Sequence, residues 1–124
     1  MRTPGIVPTL MRQFCRAKIT KAVVTNSLVH YEGSCGIDSA ILEAAGVLPY
    51  EWIAIANVTT GARFETYAIP EPVDSGAIQI YGAAAHNAAA GQELIIMSFC
   101  WLSEDEARRF PGTRVVPLKA GNRL

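Results

Sequence analysis

Two alternating runs on either side of a Thr-Gly turn constrain this chain more than any other feature. "EWIAIANV" (51–58) and "ARFETYAI" (62–69) flank Thr60-Gly61. Alternation sends successive side chains to opposite faces of a sheet, and a tight turn between two such runs makes an antiparallel hairpin. Other β-rich segments surround it. "AKITKAVVTNSLVHY" (17–31) is rich in Val, Ile and Thr, with a break near Asn26-Ser27, and predicts two strands or one bent strand. "GAIQIYG" (76–82), "QELIIMSFCWL" (92–102) and "TRVVPL" (113–118) predict three more. Helical signals are short. Asp38 caps "SAILEAAG", which ends at Gly46, and Ser103 with Glu106 forms a capping box over "SEDEARRF". "GAAAHNAAAG" (82–91) is either one helical turn or a loop, residues 1–9 read as a loose leader, and "KAGNRL" reads as a frayed tail. No βαβ unit is visible, so the expectation is a mainly β chain folded as a small barrel with short helices.

Length and composition set the outer limits. A chain of 124 residues, 50% hydrophobic, suits one domain spanning 1–124 with a real core. Eleven basic residues balance eleven acidic ones, without a basic stripe interleaved with aromatics, which argues against nucleic acid as a partner. The longest apolar stretch, 94–102, is too short to cross a bilayer as a helix and contains Ser98. The N-terminal segment, broken by prolines, lacks the pattern of a signal peptide. Three cysteines without a Cys-x-x-Cys pair fit a reducing cytoplasm rather than a disulfide framework or a zinc site, and no metal is expected.

Candidate chemistry is sparse. On the strand "ARFETYAI", Arg63, Glu65 and Tyr67 share one face, while Phe64, Thr66 and Ala68 share the other. Arg63 is able to grip a carboxylate with two parallel hydrogen bonds, and Tyr67 to donate a proton from the same face. Taken alone, that strand is better read as a solvated face with an Arg63–Glu65 ion pair. Cys35 and His86 form a nucleophile–base pair only if the fold joins them, and nothing local does.

No phosphate loop, nucleotide fingerprint or Ser-His-Asp signature is present. A short chain without a cofactor motif has one further route to an electrophile, which is its own backbone. In "HYEGSCGID" (30–38), Ser34 follows Gly33. A serine hydroxyl that attacks the preceding carbonyl converts the amide to an ester, and glycine leaves that carbonyl open. Elimination and hydrolysis then yield a pyruvoyl group, whose ketone forms a Schiff base with an amino acid and accepts electrons as carbon dioxide departs. The Gly-Ser dipeptide alone does not separate this from an ordinary loop serine.

Three blocks together are specific. "HYEGSCGID", "NVTTGARFETYAI" and "GAAAH", in this order and spacing, with "KIT" upstream and "EDEAR" downstream, resemble the pyruvoyl-dependent L-aspartate alpha-decarboxylases, which make β-alanine for pantothenate synthesis. The resemblance covers roughly residues 10 to 110. It implies a six-stranded double-psi β-barrel assembled as a cytoplasmic homotetramer, with sites between subunits. It implies self-cleavage at Gly33-Ser34, giving a β chain of 1–33 and an α chain of 34–124 headed by a pyruvoyl group made from Ser34. By the same resemblance Thr66 assists processing and Tyr67 is the catalytic proton donor. Arg63, Lys18, Tyr31, Gly82, Ala83, Ala84 and Ala85 bind substrate. The chain departs from the family pattern at Thr20 (commonly His), Ala56 (commonly aromatic) and Tyr81 (commonly Asn). The same chemistry on another small amino acid, and an unprocessed, non-catalytic barrel, are the alternative readings.

Overall fold

The computed structural model describes residues 9–124. The leader expected over 1–9 therefore lies almost wholly outside the described residues. Eight strands and two short α-helices follow in order. They are β1 (Met11–Val23), β2 (Asn26–Leu28), β3 (Ser34–Asp38), α1 (Ser39–Ala45), β4 (Trp52–Asn57), β5 (Arg63–Glu71), β6 (Ile78–Tyr81), β7 (Glu93–Ser103), α2 (Glu104–Arg108) and β8 (Arg114–Pro117). Two 3₁₀ turns, Gly82–Asn87 and Ala120–Asn122, complete the list.

The chain is mainly β with short helices, as expected, with eight strands where six were anticipated. They hydrogen-bond in the order β2-β6-β3-β5-β4-β7-β1-β8. Among the described residues no ladder joins the end strands β2 and β8. Three pairs are parallel (β1 with β8, β2 with β6, β3 with β5), and the remaining four, including the consecutive run β5-β4-β7-β1, are antiparallel. The hairpin forms as the alternation requires, with Trp52 opposite Tyr67 and Ala56 opposite Arg63 without a register shift. Its turn is built by Asn57, whose Oδ1 accepts from the backbone N–H groups of Thr59 and Thr60 at 3.0 and 3.1 Å, while Gly61 takes φ +84°.

Both helix signals hold. Asp38 caps α1 through Ala40 N–H and Gly46 ends it in the left-handed region, and the Ser103–Glu106 capping box opens α2. One strand was not legible. "SCGID" is β3, and all five of its residues are buried, Cys35 and Ile37 in the core and the other face covered by side chains such as Glu71, which rests against Gly36. A central strand covered on both faces loses the alternation that marks a half-exposed one. The core inside the sheet is chiefly isoleucine: Ile19, Ile37, Ile41, Ile53, Ile55, Ile78, Ile80 and Ile96 are all essentially inaccessible, together with Leu94. Each such side chain contributes about 1.5–3 kcal/mol of transfer free energy.

The expected frayed tail is instead anchored. Asn122, buried and at φ 55°, accepts from Val23 N–H and donates to the carbonyls of Val23 and Gly76, all at 2.8 Å. Polar composition hid this, because the two partner residues, Val23 and Gly76, lie far from Asn122 along the chain. Asn122→Ala removes these three hydrogen bonds, each worth about 0.5–1.5 kcal/mol net. The variant is expected to lose about 2–4 kcal/mol in urea unfolding; a midpoint unchanged from wild type would rule the anchor out.

Candidate active site

Residue-by-residue register decides which groups meet. Cys35 pairs with Ala68 and Gly36 with Ile69, so Ser34 enters this parallel ladder one position early, beside Tyr67. Alternation then places Ser34, Gly36, Ile69 and Tyr67 on the outer face, and Cys35, Thr66 and Ala68 on the core face. Burial agrees: Thr66 and Ala68 are buried, whereas Arg63 and Glu65 are exposed. β5 carries no bulge that would turn Thr66 outward.

Ser34 itself is 3% exposed, while Gly33 before it is exposed. Among the described residues the Ser34 hydroxyl makes no hydrogen bond, and neither does that of Thr66. A Cβ at Gly33 would meet nothing within 4 Å, so the side-chain face of this residue is open. The opposite holds at Gly82, which takes φ +77° as the first residue of its 3₁₀ turn. A Cβ there would lie 2.7 Å from Gly33 Cα and 3.0 Å from the Tyr31 carbonyl oxygen. Only glycine allows the 82–85 segment to rest on the chain just before Ser34. Within that segment Ala85 is buried, Ala84 half-buried and Ala83 exposed.

Tyr67 stacks on Tyr50, with ring centroids 6.2 Å apart. The expected Arg63–Glu65 ion pair is absent. Glu65 instead accepts from Trp52 Nε1 at 3.0 Å, because the indole lies within reach across the hairpin. Arg63 makes no side-chain hydrogen bond or ion pair among the described residues, and its cross-strand neighbour is the small Ala56. Its guanidinium is therefore available to a ligand.

Lys18 is half-buried on β1, opposite Met97, which in turn faces Ala54 and then Glu65. It shares the outer face with Arg63 and Tyr67. Yet four strand spacings separate β1 from β3, roughly 19 Å along the sheet. Lys18 is thus not among the residues on the strands that flank Ser34. Thr20 lies two positions on from Lys18, opposite Pro117.

The Cys35–His86 pair does not form. Cys35 is wholly buried on the core face, and burial, reinforced by the charge of Glu71, pushes its thiol up to about 12. His86 is exposed in the 3₁₀ turn, lining an open cleft with Thr60, Asn87 and Gln92. No thiolate is present near neutral pH to act as the nucleophile.

Tyr81 is the largest surprise. It pairs with Ser34 across the β3–β6 ladder and so shares its face. It is buried, and Tyr31 stacks on it with centroids 4.8 Å apart and planes at 30°. Its hydroxyl lies 2.9 Å from Glu71 Oε1 and 2.7 Å from Gln79 Oε1. The single phenol proton goes to the charged acceptor, and the Gln79 amide is free to turn its NH₂ group to the phenol oxygen. Burial, then the Glu71 hydrogen bond and its charge, raises this phenol well above its ordinary value. The Glu71 carboxylate in turn rests where a Cβ of Gly36 would stand. The sequence marks Tyr81 as a departure but says nothing of these partners, which come from β3, β5 and the arch before Ser34.

Comparison with known proteins bears on the whole of this arrangement. A family model described as aspartate decarboxylase matches residues 10–124. The aspartate 1-decarboxylase of Thioalkalivibrio sulfidiphilus is 49% identical over 109 residues, covering 88% of this chain and 86% of that protein. The enzyme of the same name from Methylibium petroleiphilum is 46% identical over 113 residues, 91% of this chain and 93% of its own. That from Acaryochloris marina is 41% identical over 113 residues, 91% and 86%.

Proposed function

The chain belongs to the aspartate decarboxylase family, and from that premise we propose that it is a carboxy-lyase converting L-aspartate to β-alanine and carbon dioxide with a pyruvoyl group made from its own Ser34. One observation carries the assignment to Ser34: a buried serine with an uncommitted hydroxyl begins a central strand, directly after an exposed glycine whose side-chain face is open.

Processing needs only this chain and water. Ser34 Oγ attacks the Gly33 carbonyl carbon, the bond from that carbon to Ser34 N breaks, and the hydroxyl proton passes to the nitrogen. Loss of the Ser34 Cα proton then expels the Gly33 carboxylate from Cβ, leaving dehydroalanine at the new terminus. Water releases ammonia from its imine form, and the pyruvoyl group remains. No oxidant or reductant enters. The products are 1–33 and 34–124 of one domain. Pairing with Tyr81 keeps residue 34 in the ladder, which suits a terminus that must stay in place. Thr66, on the opposite face of β5, serves processing from the core side of the ladder, where its free hydroxyl faces no competing partner.

A pyruvoyl group supplies a ketone that captures the substrate amine and takes up the electron pair left as carbon dioxide departs. The chain's own residues do the rest. Arg63, with no internal partner, holds the substrate carboxylate that stays. The carboxylate that leaves sits away from cations, because pairing would stabilise the ground state. Tyr67 Oη returns a proton to the substrate Cα, from the strand position beside Ser34. The 82–85 segment closes the wall behind residue 34, and Tyr31 lines its edge.

Lys18 enters from a second copy. Its distance from Ser34 along the sheet, and the exposed Trp52, Trp101, Tyr50 and Phe99, support a homotetramer with sites shared between neighbours. The described residues contain no helix long and apolar enough to cross a membrane, and we place the enzyme in the cytoplasm, without a nucleic-acid partner. Intact mass of the purified protein is expected to show two fragments with a carbonyl at the larger one's terminus, light scattering a tetramer, and aspartate the fastest carbon dioxide release among small amino acids. A single intact chain without activity would overturn the enzyme reading in favour of a non-catalytic barrel. A stable, fully active monomer would overturn the shared site.

A further inference from the structure

The arch between β2 and β3 is exposed from Leu28 to Gly33, and Tyr31 is 62% exposed. Exposed chain of this length samples many backbone angles at modest cost. Attack by Ser34 Oγ on the preceding carbonyl needs one narrow combination of them. Something must therefore hold both ends of the arch relative to the bond that breaks.

The structure offers a single holder for both ends. Ser34 is fixed by its ladder partner, Tyr81. Tyr31, on the other side of the bond, stacks on the ring of the same Tyr81. The residue after it, Gly82, supports the backbone of Gly33 and the Tyr31 carbonyl from beneath. Tyr81 cannot swing away, because its hydroxyl is tethered to Glu71 of β5 and its own strand is paired on both edges, by β2 and β3. We infer that Tyr81 is a positioning residue for self-cleavage, clamping the 31–34 arch between its ring and its backbone. An asparagine at this position, the common family residue, has no ring with which to hold Tyr31, so the clamp is a feature of chains that carry the pair.

The inference rests on cleavage at Gly33-Ser34, and the test separates the two. Unprocessed protein, collected after brief expression in the cold, is incubated and the fragments are followed by intact mass. Tyr81→Leu and Tyr31→Leu are expected to cleave about tenfold more slowly than wild type, the size of an aromatic pair's contribution. Tyr31→Phe, which keeps the ring, is expected to recover most of the rate. Tyr81→Phe, which keeps the stack and loses the tether, falls between. Because Tyr31 is largely exposed, Tyr31→Leu is expected to keep the wild-type circular dichroism spectrum and to stay fully folded at the incubation temperature, so slower cleavage there reports on the arch rather than on unfolding. Tyr31→Leu cleaving at the wild-type rate would overturn the clamp while leaving self-cleavage standing. A wild-type chain that never cleaves would overturn both.

Discussion

Ser34→Ala is expected to leave one intact 124-residue chain that folds, assembles and releases no carbon dioxide from aspartate. The effect is total because two functions end with one oxygen atom. Without Oγ nothing attacks the Gly33 carbonyl, and without that attack no ketone forms to hold the substrate amine. Folding is spared because Ser34 is a small buried residue whose hydroxyl has no partner among the described residues, and alanine fits the same site without orphaning a donor. Denaturing electrophoresis of wild type and variant, with circular dichroism as the folding control, makes the comparison. Fragments of unchanged size from the alanine variant would place the scissile bond elsewhere.

The second large effect separates grip from chemistry on a single strand. Arg63 and Tyr67 share the outer face of β5, and the β3–β5 register carried back one position from Cys35–Ala68 sets Tyr67, not Arg63, level with Ser34. Loss of a two-pronged, charge-assisted contact costs about 1.5–3 kcal/mol. Arg63→Ala is therefore expected to raise the KM for aspartate by roughly 10- to 150-fold while both fragments still form. Tyr67→Phe removes one proton donor and keeps the ring that stacks on Tyr50. It is expected to lower kcat by about 10²–10⁴ with KM and cleavage nearly unchanged. A kcat loss confined to Arg63→Ala would exchange the two roles. Ala56 gives the substrate arm of this experiment its purpose, because it leaves Arg63 without the aromatic neighbour common in the family. If processed wild type turns over a neutral amino acid faster than aspartate, the substrate assignment fails and the self-made ketone survives.

The sequence by itself determined what depends on neighbours within a few positions. Alternation set the hairpin and its two faces, caps bounded both helices, and three ordered blocks pointed to the family and to Ser34 as the candidate residue. These signals are local, since a cap or a strand face is decided by residues two to four apart. The β3 strand escaped because burial on both sides erases alternation. The anchored tail escaped because Asn122 is polar in sequence and finds Val23 and Gly76 only in the folded chain. The Arg63–Glu65 pair, favoured by spacing along one strand, gave way to a cross-strand partner, Trp52. The site divides the same way. That Ser34 is a candidate was legible. That its hydroxyl is uncommitted, that Tyr67 stands beside it while Lys18 does not, and that Tyr81 holds both ends of the arch were decided by strand order and register, which join residues tens of positions apart and leave no periodic trace along the chain.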